Sequence, residues 1–439
     1  MPRDDAPRSL SRTAATLGHL RALPVGLFTA VALVLASAAA PLSPLRDAAT
    51  LGPVLEVTLQ RPIGYVVLAP LSAVLDTLTL LSVHQHVAVV VTLLLGYALW
   101  WALFGRGIGA GLSAGRRAVR IAARIGVALV VLLGTYAAMA VMPRPMAALE
   151  AGTEILAVDF HAHTRFSHDG RSDWSPEDVR TWHRNAGFGA AYVSDHRTFE
   201  GARDGWSNNP RPVGEGTTLL PAIEVVWRGE HVNVLDADRF YKGLLNGTLR
   251  DIDEQALQLA SSIPNNEPVL IETLPGNLSK MVAATGPGTA GVRAIEIVDG
   301  APRGLGQVRR ERARIVKLAD SLNLALVAGS DHHGWGYTAA GWTLMRLPNW
   351  RAADSDALSR AISTVLRRGG RASTRVVERY VTDTESGLSL PFTLPLVTWG
   401  MMRTLSTDER IVWVMWALAL YLLWRVRLFR RAPPVSPTR

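Results

Sequence analysis

Eight of the eleven histidines fall between residues 161 and 333, most of them just after an apolar run and beside a carboxylate. His161 and His163 close the run ILAVDF. In an extended segment positions i and i+2 face the same way, so both imidazoles can reach one metal ion. His168 and Asp169 follow in the next turn and offer a ligand to a second ion. Asp195 ends AAYVSD with His196 directly after it, Glu224 lies in LLPAIEVVW with His231 just before the next run, and Asp331 ends LALVAGSD with His332 and His333 directly after it. Asp331 and His333 repeat the i, i+2 relation. These stretches hold enough nitrogen and oxygen donors for two or three divalent ions. The chain has no cysteine, which excludes thiolate ligands, disulfides and a cysteine nucleophile.

Donors from distant stretches meet only if a scaffold brings strand ends together. Between about 152 and 380, strand-like runs alternate with helix-like ones: EILAVDFHAH, PEDVRTWHRNA and AAYVSD, then VRAIEIVDG, QVRRERARIVKLADSLN and LALVAGSD. Such βα alternation points to a parallel sheet or barrel, and clustering of donors at strand ends is what a barrel active site produces. His183, inside the helical PEDVRTWHRNA, reads as a solvated or core residue.

The rest of the chain has a different character. At 439 residues, the chain's 48% apolar content and mean hydropathy of +0.16 are high for a purely soluble protein. Residues 24–40, 86–104, 125–142 and 411–427 read as membrane spans, the first equally as a signal peptide ending in small residues. Segment 63–82 contains Pro70 and Asp76, costly in a bilayer centre unless covered by protein, and reads as an interfacial or re-entrant helix; 388–405, with Pro391 and Pro395, is similarly interrupted. The expected order is a cytoplasmic N-terminus (1–23), a membrane region with two to four spans (24–151), the domain carrying the histidine and carboxylate cluster (152–380), an interfacial segment and span (381–427) and a cytoplasmic tail (428–439). The net charge of +9 comes largely from arginines beside apolar runs, such as Arg116, Arg117, Arg120 and Arg124, which suits lipid headgroups rather than nucleic acid. Basic loop 106–124 and the run Arg425 to Arg431 keep those flanks cytoplasmic and place 143–409 outside. His84 and His86 also form an HxH, beside a span, and read as interfacial; GRGIGAG at 105–111 lacks a strand–turn–helix context and reads as a membrane-exit loop.

HAHTRFSHDG, VSDH and GSDHHG resemble the successive signatures of the PHP (polymerase and histidinol phosphatase) metallohydrolase family, over roughly half the chain. The resemblance implies a distorted TIM-like α/β barrel, here flanked by transmembrane helices, with metals at the C-terminal strand ends. It implies that His161, His163, Glu224 and Asp331 hold one ion, that Glu224 bridges to a second bound by His231, and that Asp169, His196 and His333 complete the cluster. The ions would be manganese, zinc or iron. His168 intervenes between Ser167 and Asp169, a longer form found near the carbaryl-hydrolase branch, which leaves His168 and Asp169 as alternatives. Where many members carry His-Pro this chain has Leu274 and Pro275, so a two-metal site, or one completed by Glu272 or water, is expected.

Such ions acidify water and stabilise a leaving oxygen, so no serine nucleophile is needed. Arg165, Arg197 and Arg228 are candidate phosphate clamps, with ordinary surface ion pairs as the alternative, and His332 is a candidate proton donor. The expected function is a membrane-anchored phosphoesterase acting on a phosphorylated small molecule or lipid-linked substrate. Ester or carbamate hydrolysis on the same site, and a membrane sensor that binds metal without turnover, are the competing readings.

Overall fold

The computed structural model describes residues 24–104, 113–196, 198–227, 230–235, 269–273, 292–385 and 387–431. Arg197, Arg228, the Leu274–Pro275 pair, the 105–111 loop and both chain ends lie outside the described residues.

The strands are short apolar runs, and the central ones are buried along nearly their whole described length because neither face meets water. They are β1 (Leu45–Asp47), β2 (Val57–Gln60), β3 (Ala148–Ala151), β4 (Ile155–Ala162), β5 (Ala190–Val193), β6 (Thr218–Trp227), β7 (Glu230–Leu235), β8 (Leu270–Glu272), β9 (Val292–Asp299), β10 (Ala325–Gly329), β11 (Gly341–Arg346) and β12 (Arg375–Arg379). Ten of them form one sheet in the order β1-β12-β11-β4-β5-β6-β7-β8-β9-β10, and β2 pairs with β3 in a separate ribbon. β4, β5 and β6 run parallel, as do β8, β9 and β10, while β7 is antiparallel to both its neighbours. The sheet curls until the chain after β10 returns to β4 through a parallel bridge between Ala162 and His332. The parallel strands therefore all end at one rim, and reversed β7 begins there.

Helices cover the curled sheet. Pro176–Ala186 starts at a capping box, Ser175 with Asp178, and ends at Gly187, whose φ of +88° suits glycine. Pro302–Leu322 lies along β9, and Ser355–Gly369 sets Leu358 and Ile362 into an apolar cluster with Phe160, Tyr192, Leu220 and Val327.

Two helices, Val83–Leu103 and Ala114–Val141, are long and apolar enough to cross a bilayer, and few of their residues are buried within the protein. The other expected spans take different forms. Residues 24–40 hold the shorter helix Pro24–Ser37, and 411–427 lies within Thr407–Arg431, whose first turn carries Asp408 and Glu409. Segment 63–82 folds as Ile63–Val67 and Ala69–Thr79, with Tyr65, Ser72, Leu75 and Asp76 buried against the protein. In 388–405 the chain makes a 3-10 turn, Gly387–Phe392, and then helix Thr393–Thr404. The region before residue 152 also contributes to the main sheet, since β1 pairs antiparallel with β12.

Candidate metal centre

The end of β4 builds the centre. A register shift between Asp159 and Ala162 separates Asp159, whose side chain meets His183 on the helix Pro176–Ala186, from His161 and His163, whose rings turn towards one another. Asp331 follows β10, and its N–H donates to the His161 carbonyl at 2.8 Å while the His163 N–H donates to the His332 carbonyl at 3.2 Å. These bonds clamp the two ligand-bearing segments side by side. Asp331 itself adopts φ +44°, a left-handed conformation that aspartate tolerates better than most residues and that turns its carboxylate back over β4.

Four donor atoms converge. His161 Nε2 lies 3.0 Å from both His163 Nε2 and Glu224 Oε2, and 3.3 Å from Asp331 Oδ1. His163 Nε2 lies 3.2 Å from Glu224 Oε2 and from Asp331 Oδ1. A tetrahedral ion with ligands at about 2.0 Å needs donors about 3.3 Å apart, so this spacing fits a divalent ion held by two imidazoles and two carboxylates. The other oxygen of Glu224 is 2.6 Å from His231 Nδ1, and His196 Nδ1 is 3.5 Å from Glu224 Oε2. Glu224 thus presents one oxygen to each of two donor groups. A third group gathers at Asp169, whose Oδ2 is 3.3 Å from His196 Nε2 and 3.2 Å from His333 Nε2, with the His163 ring stacked on His333 at 4.1 Å. Seven of the eight expected ligands, His161, His163, Asp169, His196, Glu224, His231 and His333, fall into three overlapping groups that could hold a metal ion, and the eighth, Asp331, places Oδ1 beside the Nε2 atoms of His161 and His163.

Electrostatics favour a cation. Burial alone would lower the proton affinity of His163, but hydrogen bonds to Asp331 and Glu224 outweigh it and raise its pKa to about 10. His161 is raised well above the ordinary imidazole value, against burial, by Glu224, Asp331 and Glu296. The same pairing holds Glu224 and Asp331 low despite their burial. An incoming divalent ion must displace the imidazole protons. We expect metal loading at pH 7 to release about one to two protons, and affinity to weaken as pH falls. Calorimetric titration in two buffers of different ionisation enthalpy measures the count; no proton release at pH 7 would contradict it. The protonated imidazoles also stabilise the fold in the absence of metal. For His163 that contribution is complete below the unfolded value of about 6.5 and is lost as pH rises through about 10.

Residues outside the expected ligand set support the centre. Glu296 on β9, fully buried, places Oε1 3.1 Å from His161 Nδ1, which fixes the ring so that Nε2 faces the donor cluster. Burial, with the nearby Asp331 and Glu224 carboxylates, raises Glu296 to about 7 against the opposing effect of His161. The signal was present in VRAIEIVDG, a carboxylate inside an apolar strand. Glu296→Gln is expected to weaken metal affinity about 10- to 100-fold while leaving all the proposed ligands in place. Competition with a chelating dye checks this. Asp159 accepts the His161 N–H at 3.1 Å and the Ser330 N–H at 2.8 Å through Oδ1, and its Oδ2 meets His183 Nε2 at 2.6 Å. His183 is therefore a core residue that anchors the strand end. Asp195 accepts from the Thr164 N–H and hydroxyl, both at 2.6 Å, and fastens the turn after His163.

Two expected roles change. His332 is buried between Trp174 and Trp182, with ring centroids at 5.0 and 4.3 Å. Its Nδ1 accepts the Gly334 N–H and its Nε2 meets the Gly336 carbonyl, so both nitrogens are occupied by backbone. Burial lowers its pKa to about 3. It is a neutral packing residue of the loop and not the proton donor expected of it. His168 is exposed, its Nδ1 4.0 Å from Asp169 Oδ1, and belongs to none of the three donor groups, whereas Asp169 belongs to one. Arg165 is exposed with its guanidinium over the Phe166 ring, and among the described residues it has no ion pair. Glu272 is buried at the end of β8 and stands outside the three groups.

No family profile matches the chain, and no curated protein does. Three solved structures share parts of it. PsfC from Pseudomonas syringae is 16% identical, covering 56% of this chain and 97% of its own, with a TM-score of 0.36. A two-domain protein from Bacteroides vulgatus containing a predicted PHP-like metal-dependent phosphoesterase is 14% identical, covering 52% and 66%, at 0.34. A Bifidobacterium adolescentis protein assigned as a metal-dependent phosphoesterase is 16% identical, covering 48% and 96%, at 0.30. At these scores the likenesses carry no weight, and the functional reading rests on the site.

Proposed function

We propose that this chain is a membrane-anchored hydrolase that cleaves phosphoester bonds with water at a centre of two or three divalent ions. One observation carries the reading: Glu224 and Asp331 each bring a carboxylate oxygen within 3.0–3.3 Å of the paired His161 and His163 Nε2 atoms, and Glu224 is shared with a second donor group. In this reading His161, His163, Glu224 and Asp331 hold one ion, Glu224 and His231 a second, and Asp169, His196 and His333 the remaining position. Manganese, zinc and iron all suit such nitrogen and oxygen donors. Bound there, the ions supply Lewis acidity towards water and a phosphoryl oxygen.

The chain's own residues supply the rest. Buried carboxylates hold the imidazoles in place, Glu296 sets the orientation of His161, and the exposed Arg165 extends from the ligand-bearing turn where a phosphoryl group enters. Arg197 is proposed as a second clamp on the same group. The two membrane-length helices anchor the chain, and the positive flanks support an extracytoplasmic domain.

Metal content of the purified full chain, with hydrolysis of a panel of phosphomonoesters, phosphodiesters, carboxyl esters and carbamates, tests the proposal against a His163→Ala control. Turnover confined to carboxyl esters or carbamates would replace the substrate class. Bound metal without turnover on any ester would leave a sensor.

A further inference from the structure

Resting on the reading above, the structure deepens it at the substrate. The loop that carries Asp331 and His333 continues to Gly336, whose N–H donates to the Ala140 carbonyl at 2.8 Å. Ala140 is the penultimate residue of helix Ala114–Val141. Three residue steps separate His333 from Gly336, at most about 11 Å of chain. From Arg124 to Val141 the helix rises about 26 Å, close to the roughly 30 Å of a hydrocarbon core. If the arginines of its first turns lie in one headgroup layer, its last turn reaches the other. The donor cluster then lies within about one loop's reach of that second layer, where lipid phosphates are.

The attachment is built rather than incidental. Gly336 adopts φ +90° and sits against Thr79, where an added Cβ would stand 3.3 Å from the threonine methyl. Two residues on, Thr338 donates to Asp76 at 2.8 Å, and Asp76 also accepts from Arg144, just beyond the helix. The loop is thus tied to the helix end at two points. Between His333 and Gly336 it turns Trp335 outward, 52% exposed. An exposed tryptophan one residue from a contact with the helix end suits the headgroup boundary, where an indole is amphipathic in the right sense. The Arg171 guanidinium lies 5.6 Å from the Trp335 ring and donates to the Gly334 carbonyl. An aromatic and a cation therefore stand together beside the ligand loop.

We infer that the centre opens onto the bilayer surface, with Trp335 seated in the headgroup layer, and that its substrate is the phosphoester of a membrane lipid.

The absence of native cysteine permits a direct measurement on the full chain in nanodiscs. A Trp335→Cys variant carrying a polarity-sensitive fluorophore is compared with an Arg346→Cys control, whose native side chain is 78% exposed on β11. Nitroxides placed at the lipid headgroup should quench the label at 335 several-fold more than at 346. Equal quenching at the two positions would overturn the lipid contact. In parallel, the unsubstituted chain is assayed on phosphatidic acid and phosphatidylglycerol in the same nanodiscs, against their deacylated soluble counterparts. Release at least tenfold faster from the lipids supports the substrate class, and release as fast or faster from the soluble esters overturns it. Release from neither, with metal bound, sinks the hydrolase reading and the lipid-substrate claim together, and the quenching arm then decides the lipid contact by itself.

Discussion

Replacing Glu224 by alanine should remove more than one metal ion per chain and lower phosphoester hydrolysis about 10³-fold or more. The expectation follows from where its two oxygens point. Oε2 lies among His161 and His163, and Oε1 reaches His231. Losing one carboxylate therefore removes a donor from two positions at once, and the imidazole charges it neutralised remain buried without it. A Lewis-acid contribution of about 4 kcal/mol converts to about a thousandfold in rate. Elemental analysis alongside kcat is the measurement, and His231→Ala is the comparison, since it removes a donor on one side only. If Glu224→Ala kept full metal content, or lost no more than His231→Ala, the shared-carboxylate arrangement would be wrong.

The second large effect lies away from the metal cluster. Asp76 is buried, with Oδ1 receiving Arg144 at 3.2 Å and Thr338 at 2.8 Å, and Oδ2 receiving the Tyr65 hydroxyl at 2.9 Å and Arg379 at 3.2 Å. These partners come from the short helices before the barrel, the segment after a membrane-length helix, the ligand loop and β12. One carboxylate therefore neutralises two largely buried guanidiniums and joins four parts of the chain. Asp76→Ala leaves both cations buried and uncompensated, which typically costs about 3–5 kcal/mol. The unfolding midpoint in detergent should fall accordingly, and adding Arg144→Met should restore part of the loss. An unchanged midpoint in Asp76→Ala would mean that water reaches the pair and that the network contributes little.

Asp76 also shows how far local sequence reaches. A carboxylate in the apolar stretch 63–82 signalled that protein must cover it, because an isolated charge is not tolerated in hydrocarbon. Which groups cover it was not legible: Arg144, Thr338 and Arg379 are distant in sequence, and their meeting depends on how the barrel packs against the helices. His332 teaches the converse. Adjacency to Asp331 and His333 made it a candidate acid, yet successive residues diverge in direction, and the tryptophans that enclose it come from the segment containing helix Pro176–Ala186 and the turn before it. Glu296 carries no spacing signal, being a single acid within a strand. Only the return of β10 towards β4 brings β9 beside His161.

The clustered imidazole and carboxylate donors, the βα alternation and the two central apolar helices are legible along the chain. Those follow from residue type and period, which act over a few positions. Tertiary structure decided which donors share an ion-sized space, which neighbours fix their charge and orientation, and how the ligand loop joins the end of an apolar helix. These depend on contacts between residues tens to hundreds of positions apart, and such contacts exist only once the sheet has curled.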